Sequence, residues 1–337
     1  LLNSIKNLEY RGYDSCGVAV IQNGKIDLRK NIGGIEDVNL KESLDQMQGK
    51  IGIAHTRWAT HGGVTQENAH PHLSENRKFA VVHNGIISNY QKLREGLLSE
   101  GVSFESLTDT EVFVNLLEKS YTESNDLEKA FLATLQLIEG SFSIVMLSPH
   151  DPEHLYCVKN ESPLLLGLGD DCNYVGSDIN AFLEYTRKAI VLDEGEYVIL
   201  GPSEYQIRSL KTGKELKKNV LNIDWDLETS KKGGFSHYML KEIFDEPQTV
   251  REAMQIPRDQ IVAMAQMFAE SSRSYIMGVG TTYYVASISQ YYFSDLADSY
   301  YSALSSDEFS VVNIKRGDMV LAISQSGETY DTKTSLI

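Results

Sequence analysis

The chain has 337 residues, enough for about two domains, and its 42% hydrophobic and 23% charged residues mark a globular, soluble protein. Its 31 basic residues against 47 acidic ones give a net charge of −16, which argues against a nucleic-acid partner and leaves neutral donors to hold any phosphate. Cys16, Cys157 and Cys172 form no CxxC pair, so no disulfide framework or zinc knuckle is expected and a reducing cytoplasm is the default; no signal peptide leads the chain, and no apolar run reaches the roughly 18 residues of a membrane span.

In chain order, residues 1–8 read as the tail of an amphipathic helix without a start signal. Residues 16–22 and 25–31 form a hairpin around Asn23-Gly24, the strongest short hairpin signal. Strands follow at 51–56 and 79–83. Helices are expected at 89–99, 111–120 and 127–138, where apolar residues recur at i, i+3 and i+4. A run of short strands then covers 142–147, 155–159, 164–168, 174–175, 190–192, 197–199 and 205–210. Strands, helices and strands again favour an α+β layered domain. Lys and Gly gather at 211–234 and periodicity fades, as in a linker. Beyond it the pattern alternates: helices at 247–254 and 259–271, strand 275–280, helix 281–296, strand 319–323 and the start of another helix. That predicts the first half of a parallel α/β domain. Residues 332–337 stop inside a helical pattern without a cap, so the chain is expected to be an internal piece of something longer.

Several short words carry chemistry. Ser324-Gln325-Ser326-Gly327-Glu328-Thr329 and Gly278-Val279-Gly280-Thr281-Thr282 each place hydroxyls and glycines where a strand gives way to a helix. Free N–H groups and the helix dipole suit a phosphate there; ordinary capping is the alternative. Neither is a P-loop, and Tyr283 stands where a dinucleotide fingerprint needs its third glycine. Arg57 beside Trp58 puts a carboxylate-fork donor and a bulky lid in one loop, or is a surface Arg beside a core Trp. Asn84-Gly85 ends a strand with two N–H donors suited to an oxyanion, or is a plain turn. Asp109 can pair with an ammonium or serve as a first-turn acid. Five of the eight histidines lie between His55 and His83, which raises a metal site, yet no HExxH pair is present. His70 and His72 point to different sides if that stretch is extended.

Taken together, Leu8 through Ser15, His55 through His61, His83-Asn84-Gly85, Thr108 through Glu111, His237 through Ile243 and Ser324 through Thr329 resemble, in this order, the glutamine–fructose-6-phosphate aminotransferase family. The resemblance covers nearly the whole chain. It implies an N-terminal-nucleophile (Ntn) glutaminase, an αββα α+β sandwich over 1–215, a linker over 216–246, and over 247–337 the N-terminal part of an α/β SIS (sugar isomerase) domain. By resemblance, Arg57 and Asp109 hold the glutamine α-carboxylate and α-ammonium, Thr60 and His61 line the same pocket, and Trp58 gates ammonia. Asn84 and Gly85 form the oxyanion hole. Thr281, Thr282, Ser324, Gln325, Ser326 and Thr329 hold the sugar phosphate. Glutamine and fructose 6-phosphate are the implied ligands, a homodimer is the implied full-length assembly, and no cofactor or metal is implied.

The family's nucleophile is an N-terminal cysteine whose own amine acts as base. Residue 1 here is Leu1, and Cys16 reads as a small buried thiol. Because losing a nucleophile costs on the order of 10⁶ in rate, this piece is expected to be inert while its full-length parent makes glucosamine 6-phosphate. Rival readings are a non-catalytic SIS-type sugar-phosphate sensor, a glutaminase with another sugar-phosphate acceptor, and a metallohydrolase built on the histidines.

Overall fold

A computed structural model describes the chain apart from residues 59–62, 224–237, 255, 257, 326, 328 and 337, and apart from the side chains of Arg11, Tyr238 and Glu252. Thr60, His61 and Ser326 therefore lie outside the described residues. The chain divides into two compact units, Leu1–Gly234 and Phe235–Ile337.

The first unit begins with helix α1 (Leu2–Lys6) and the hairpin of β1 (Ser15–Gln22) and β2 (Lys25–Ile32). Gln22 pairs with Lys25, and Asn23 and Gly24 take φ of 52° and 71°. Two positive φ values in a two-residue loop match the right-handed twist of the strands, which is why Asn-Gly sits there. Helix α2 (Ile35–Glu42) was not evident in the sequence. Strand β3 (Gly52–Arg57) pairs with the other side of β1, giving the order β2-β1-β3.

Next come β4 (His72–Leu73), β5 (Ala80–Ile87), α3 (Tyr90–Ser99), α4 (Asp109–Ser124), α5 (Leu127–Leu135), β6 (Gly140–Ser148) and β7 (Asp151–Asn160). Then follow β8 (Leu165–Leu168), β9 (Asn173–Gly176), β10 (Lys188–Val191), β11 (Glu196–Leu200), β12 (Tyr205–Ser209) and β13 (Leu221–Asn222). They form a six-stranded sheet, β12-β11-β7-β6-β5-β4, and a four-stranded one, β13-β10-β8-β9. Strand β13 and the buried Ile223 place residues beyond 215 inside this unit.

Strand periodicity explains the layering, because successive side chains point to opposite faces. Val81, Ile144, Met146 and Val158 pack with Phe113, Leu117 and Phe131 of the helices. Their neighbours Ala80, Val82, Val145, Leu147 and Cys157 pack with Ala19, Ile21 and Ile53, and with Leu166 and Ile190 of the smaller sheets. The outer face of β1, with Cys16, Val18 and Val20, is covered by Ile5 of α1 and by Ile35 and Val38 of α2. Helices, sheet, sheets and helices therefore stack as αββα.

The second unit holds α6 (Tyr238–Ala253), α7 (Arg258–Glu270), β14 (Ser274–Gly278), α8 (Thr281–Ala297), β15 (Ser302–Ser305), β16 (Met319–Ala322) and α9 (Tyr330–Thr334). The three strands are parallel in the order β15-β14-β16. Helix α6 starts at Tyr238 rather than at Pro247, which lies within it. Proline inside a helix removes one backbone donor, but a helix with enough other contacts runs through it. At the far end α9 starts after the Ser324–Thr329 word rather than within it.

Candidate functional site

A cavity of about 560 Å³ in the first unit is lined by Arg57, Trp58, Asn84, Gly85 and Asp109. Three elements supply these five residues: the end of β3, the middle of β5 and the first turn of α4. Its other end is apolar, with Ile5, Leu8, Leu164, Val175 and Phe182. All seven residues from Gly52 to Trp58 touch it, and so do all five from Asn173 to Ser177. Odd and even positions line it alike, so β3 and β9 turn their edges to the cavity rather than one face. Among the described residues each pairs on one side only.

The Leu8–Ser15 word braces the Arg57 corner. Asp14 donates its N–H to the Arg57 carbonyl at 3.1 Å. Gly12 lies so close that an added Cβ would sit 2.7 Å from the Trp58 nitrogen. The Tyr13 ring meets Trp58 edge-on at 5.5 Å. Arg57 is only 6% exposed. Burial pulls its guanidinium down, and nearby Asp14 and Asp109 oppose that. Trp58, by contrast, is 57% exposed and forms part of the rim.

Asn84 faces Ser143 and Gly85 faces Phe142 across the β5–β6 ladder. Gly85 has φ of 116°, and a Cβ there would lie 2.0 Å from the Ser141 carbonyl oxygen, so only glycine fits. Asp109 opens α4 one residue after the N-cap Thr108, whose hydroxyl accepts the Glu111 N–H. One Asp109 oxygen accepts the Ile87 N–H at 2.8 Å, which ties β5 to α4. Asp109 is thus both a first-turn acid and part of the cavity wall.

The histidines behave differently from a metal cluster. His55, His70, His72 and His83 are all pulled down in pKa by burial, His55 to about 4. Hydroxyls partner three of them: Thr110 Oγ1 lies 2.9 Å from His70 Nε2 and 3.0 Å from His83 Nδ1, and Thr108 Oγ1 lies 3.1 Å from His72 Nε2. The His70–Pro71 peptide is cis, and the His70 and His72 rings meet edge to face at 4.7 Å instead of diverging. Among the described residues no three His, Cys, Asp or Glu are placed to hold a metal ion. The sequence reading had no role for Thr110 or Glu111; only their position on the buried side of α4 reveals them.

None of the three cysteines is among the residues lining the cavity. Cys16 is 1% exposed under α2, and burial pushes its thiol up to about 12.

In the second unit, Thr281 and Thr282 follow β14, and Ser324, Gln325 and Thr329 follow β16. These two strands are adjacent and parallel, with Met277 opposite Ala322. Both corners therefore leave the same carboxyl edge. The chain passes from β14 to β15 on one side and returns to β16 on the other. Such a reversal opens a crevice where α/β sheets bind ligands. The Thr282 hydroxyl accepts the Val279 N–H at 3.0 Å, and the Ser324 hydroxyl accepts that of Gly327 at 3.0 Å. Ser324 and Thr329 hydroxyls lie 2.9 Å apart. The hydroxyls thus shape their own turns.

Residues 55–184 match the glutamine amidotransferase domain family, and residues 267–337 match the SIS domain family. A glutamine–fructose-6-phosphate aminotransferase (isomerizing) of Methanococcus maripaludis is 41% identical over 98% of this chain and 56% of its own length. That of Aquifex aeolicus is 42% identical over 100% of this chain and 57% of its own. The chain thus spans little more than half the length of these curated relatives. In fold it is similar to the glutamine phosphoribosylpyrophosphate amidotransferase of B. subtilis solved with ADP and GMP, at a TM-score of 0.55 and 18% identity over 96% of this chain and 66% of that one. With an αββα layer order, an amidotransferase-domain match, an SIS-domain match and about two-fifths identity from end to end, the chain is similar along its whole length to the glutamine–fructose-6-phosphate aminotransferases.

Proposed function

We propose that the protein containing this chain releases ammonia from glutamine in the first unit and transfers it to fructose 6-phosphate, giving glucosamine 6-phosphate and glutamate. One observation carries the glutaminase half: a buried guanidinium, a carboxylate, a carboxamide and a glycine that tolerates no side chain converge on one cavity. An α-amino acid with a side-chain amide is complementary to that set. Arg57 takes the α-carboxylate and Asp109 the α-ammonium. The Asn84 amide N–H and the Gly85 N–H face the oxygen of the γ-carbonyl as a thiolate adds to its carbon. Ammonia then leaves with the proton from the general base, and water hydrolyses the γ-glutamyl thioester. Trp58 on the rim acts as the ammonia gate, with Thr60 and His61 completing the pocket.

The attacking thiol is the amino-terminal cysteine expected of an Ntn glutaminase, since no cysteine of this chain lines the cavity. The slot between the β3 and β9 edges suits an extended strand that would carry it. The sugar ester sits at the β14–β16 reversal, with Thr281, Thr282, Ser324, Gln325, Ser326 and Thr329 as uncharged donors. Uncharged donors suit a chain of net charge −16. The cytoplasm, where glutamine and sugar phosphates meet and the three thiols stay reduced, is the proposed site of action, with a homodimer as the intact assembly.

Calorimetry on the 337-residue polypeptide tests the reading. Glutamine is expected to bind to the first unit and fructose 6-phosphate to the second, with no glutamate released for want of the thiol. Heats for fructose 6-phosphate alone would favour a sugar-phosphate sensor over an amidotransferase. Glutamate release by the 337 residues themselves would overturn the assignment of the nucleophile.

A further inference from the structure

The Asn84 side chain can do its proposed work only in one orientation. If its oxygen faced the substrate, it would repel a developing oxyanion instead of stabilising it. Rotating the carboxamide by half a turn exchanges the two cases, so something must fix it.

His55 lies on β3 among the residues that line the cavity, and its ring meets the Asn84 carboxamide. His55 Nε2 is 2.8 Å from Asn84 Oδ1. The ring's other nitrogen, Nδ1, is buried and has no hydrogen-bond partner among the described residues. A neutral imidazole carries one proton, on one nitrogen or the other. Placing it on Nδ1 would bury an N–H without an acceptor, a cost of about 1–3 kcal/mol. Placing it on Nε2 leaves only a bare lone pair at Nδ1. Nε2 is the nitrogen with an acceptor in hydrogen-bond geometry. Burial holds the imidazole down at about 4, so the ring stays neutral near pH 7 with a single tautomer. Its plane is fixed too: the His70 ring stacks on it at 4.5 Å, and His70 is itself tied to Thr110.

We propose, resting on the glutaminase reading above, that His55 is a positioning residue: its Nε2–H donates to Asn84 Oδ1 and so turns the Asn84 Nδ2–H toward the cavity, where the oxyanion forms. His55 touches no reacting atom in this role. It acts through Asn84, and the buried histidine array behind it serves as a rigid backing for the oxyanion hole.

The test is steady-state glutamine hydrolysis by the intact protein carrying His55→Leu, His55→Gln, Asn84→Ala and the double change His55→Leu/Asn84→Ala. A lost orienting bond acts on the transition state alone, so His55→Leu is expected to lower kcat ~10- to 100-fold, less than the ~10²–10³ of deleting an oxyanion donor, with KM for glutamine within about twofold. Because both residues act in one device, adding His55→Leu to Asn84→Ala is expected to cost nothing further. Gln can set its amide N–H2 where Nε2–H stood, so His55→Gln is expected to regain most of kcat. A rise in KM with kcat intact, losses that multiply in the double variant, or a His55→Gln as slow as His55→Leu would each overturn the proposal. If His55→Leu does not fold, His55→Gln against His55→Asn decides, since the Asn amide stops one bond short. Equal kcat for those two overturns the role. Absence of glutamate release by the unsubstituted intact protein would overturn the glutaminase reading itself, and this inference with it.

Discussion

Arg57 and Asn84 divide the work of the site in a way kinetics can read. In the proposed role Arg57 would grip a part of the substrate that does not change during reaction, so its contribution would be felt in binding. A charge-assisted bond is worth about 1.5–3 kcal/mol, so Arg57→Ala in the intact protein is expected to raise KM for glutamine ~10- to 100-fold. In the proposed oxyanion hole Asn84 would meet a charge that exists only in the transition state. Asn84→Ala is expected to lower kcat by ~10²–10³ with KM nearly unchanged. Initial-rate measurements over a range of glutamine separate the two, and a shared effect on KM would count against Asn84 in the oxyanion hole. At this scale Arg57, Asn84 and Asp109 each had an ordinary reading taken alone, and the family resemblance singled them out; the fold brings all three to one cavity. The histidines were ambiguous because a sequence shows how many there are and not what surrounds them. Thr110 and Thr108 supply part of those surroundings, each hydroxyl sitting against a ring nitrogen of His70, His83 or His72.

At the scale of the element, the start of α4 is the joint on which the cavity hangs. Glu111, 5% exposed, accepts hydrogen bonds from the Glu105 N–H at 2.7 Å and from the Ser106 N–H and hydroxyl at 2.6 Å. It therefore pins the loop that leads into Thr108 and Asp109. Removing it strands buried donors at about 1–3 kcal/mol each. Glu111→Ala is expected to lower the urea midpoint clearly and to raise KM for glutamine, because Asp109 loses its fixed starting point. An unchanged midpoint would show the loop to be held by other contacts. The β1–β2 hairpin was legible because Asn23-Gly24 encodes its own geometry. Strands β4 and β15 were not, because a two-residue or four-residue strand has too few positions to display a period. Helix α6 was read short because Pro247 is an ordinary first-turn residue, and nothing local distinguishes that use from an interior one.

At the scale of the whole molecule, the buried imidazoles set an acid limit. In an unfolded chain histidine titrates near 6.5. In the fold His55 titrates at about 4, and His70 and His72 lie well below the ordinary value, in each case through burial. Between those values the unfolded chain binds more protons, so stability is full above ~6.5 and falls as the pH drops toward 4, by about 1.4 kcal/mol per pH unit for each such histidine. His154 works in the opposite sense. Burial pulls it down, but Asp151 and Glu204 raise it overall, so its contribution is present below ~6.5 and lost as the pH rises through its folded value. One histidine does not offset the array. Urea midpoints followed by tryptophan fluorescence are expected to drop steeply from pH 7 to pH 5, and flat midpoints over that span would contradict neutral buried rings.

What depends on near neighbours was legible in the sequence: the hairpin, the helical faces and the parallel α/β ending. Periodicity and turn chemistry act over a handful of residues, so one strand of text is enough to read them. The tertiary structure alone shows that Arg57, Asn84 and Asp109 share a cavity, that the 115 residues between β3 and β9 fold back so that both strands line it, and that four histidines are buried against hydroxyls, an amide and one another. Burial and hydrogen-bond partners are properties of what packs against a residue, and those neighbours come from distant parts of the chain.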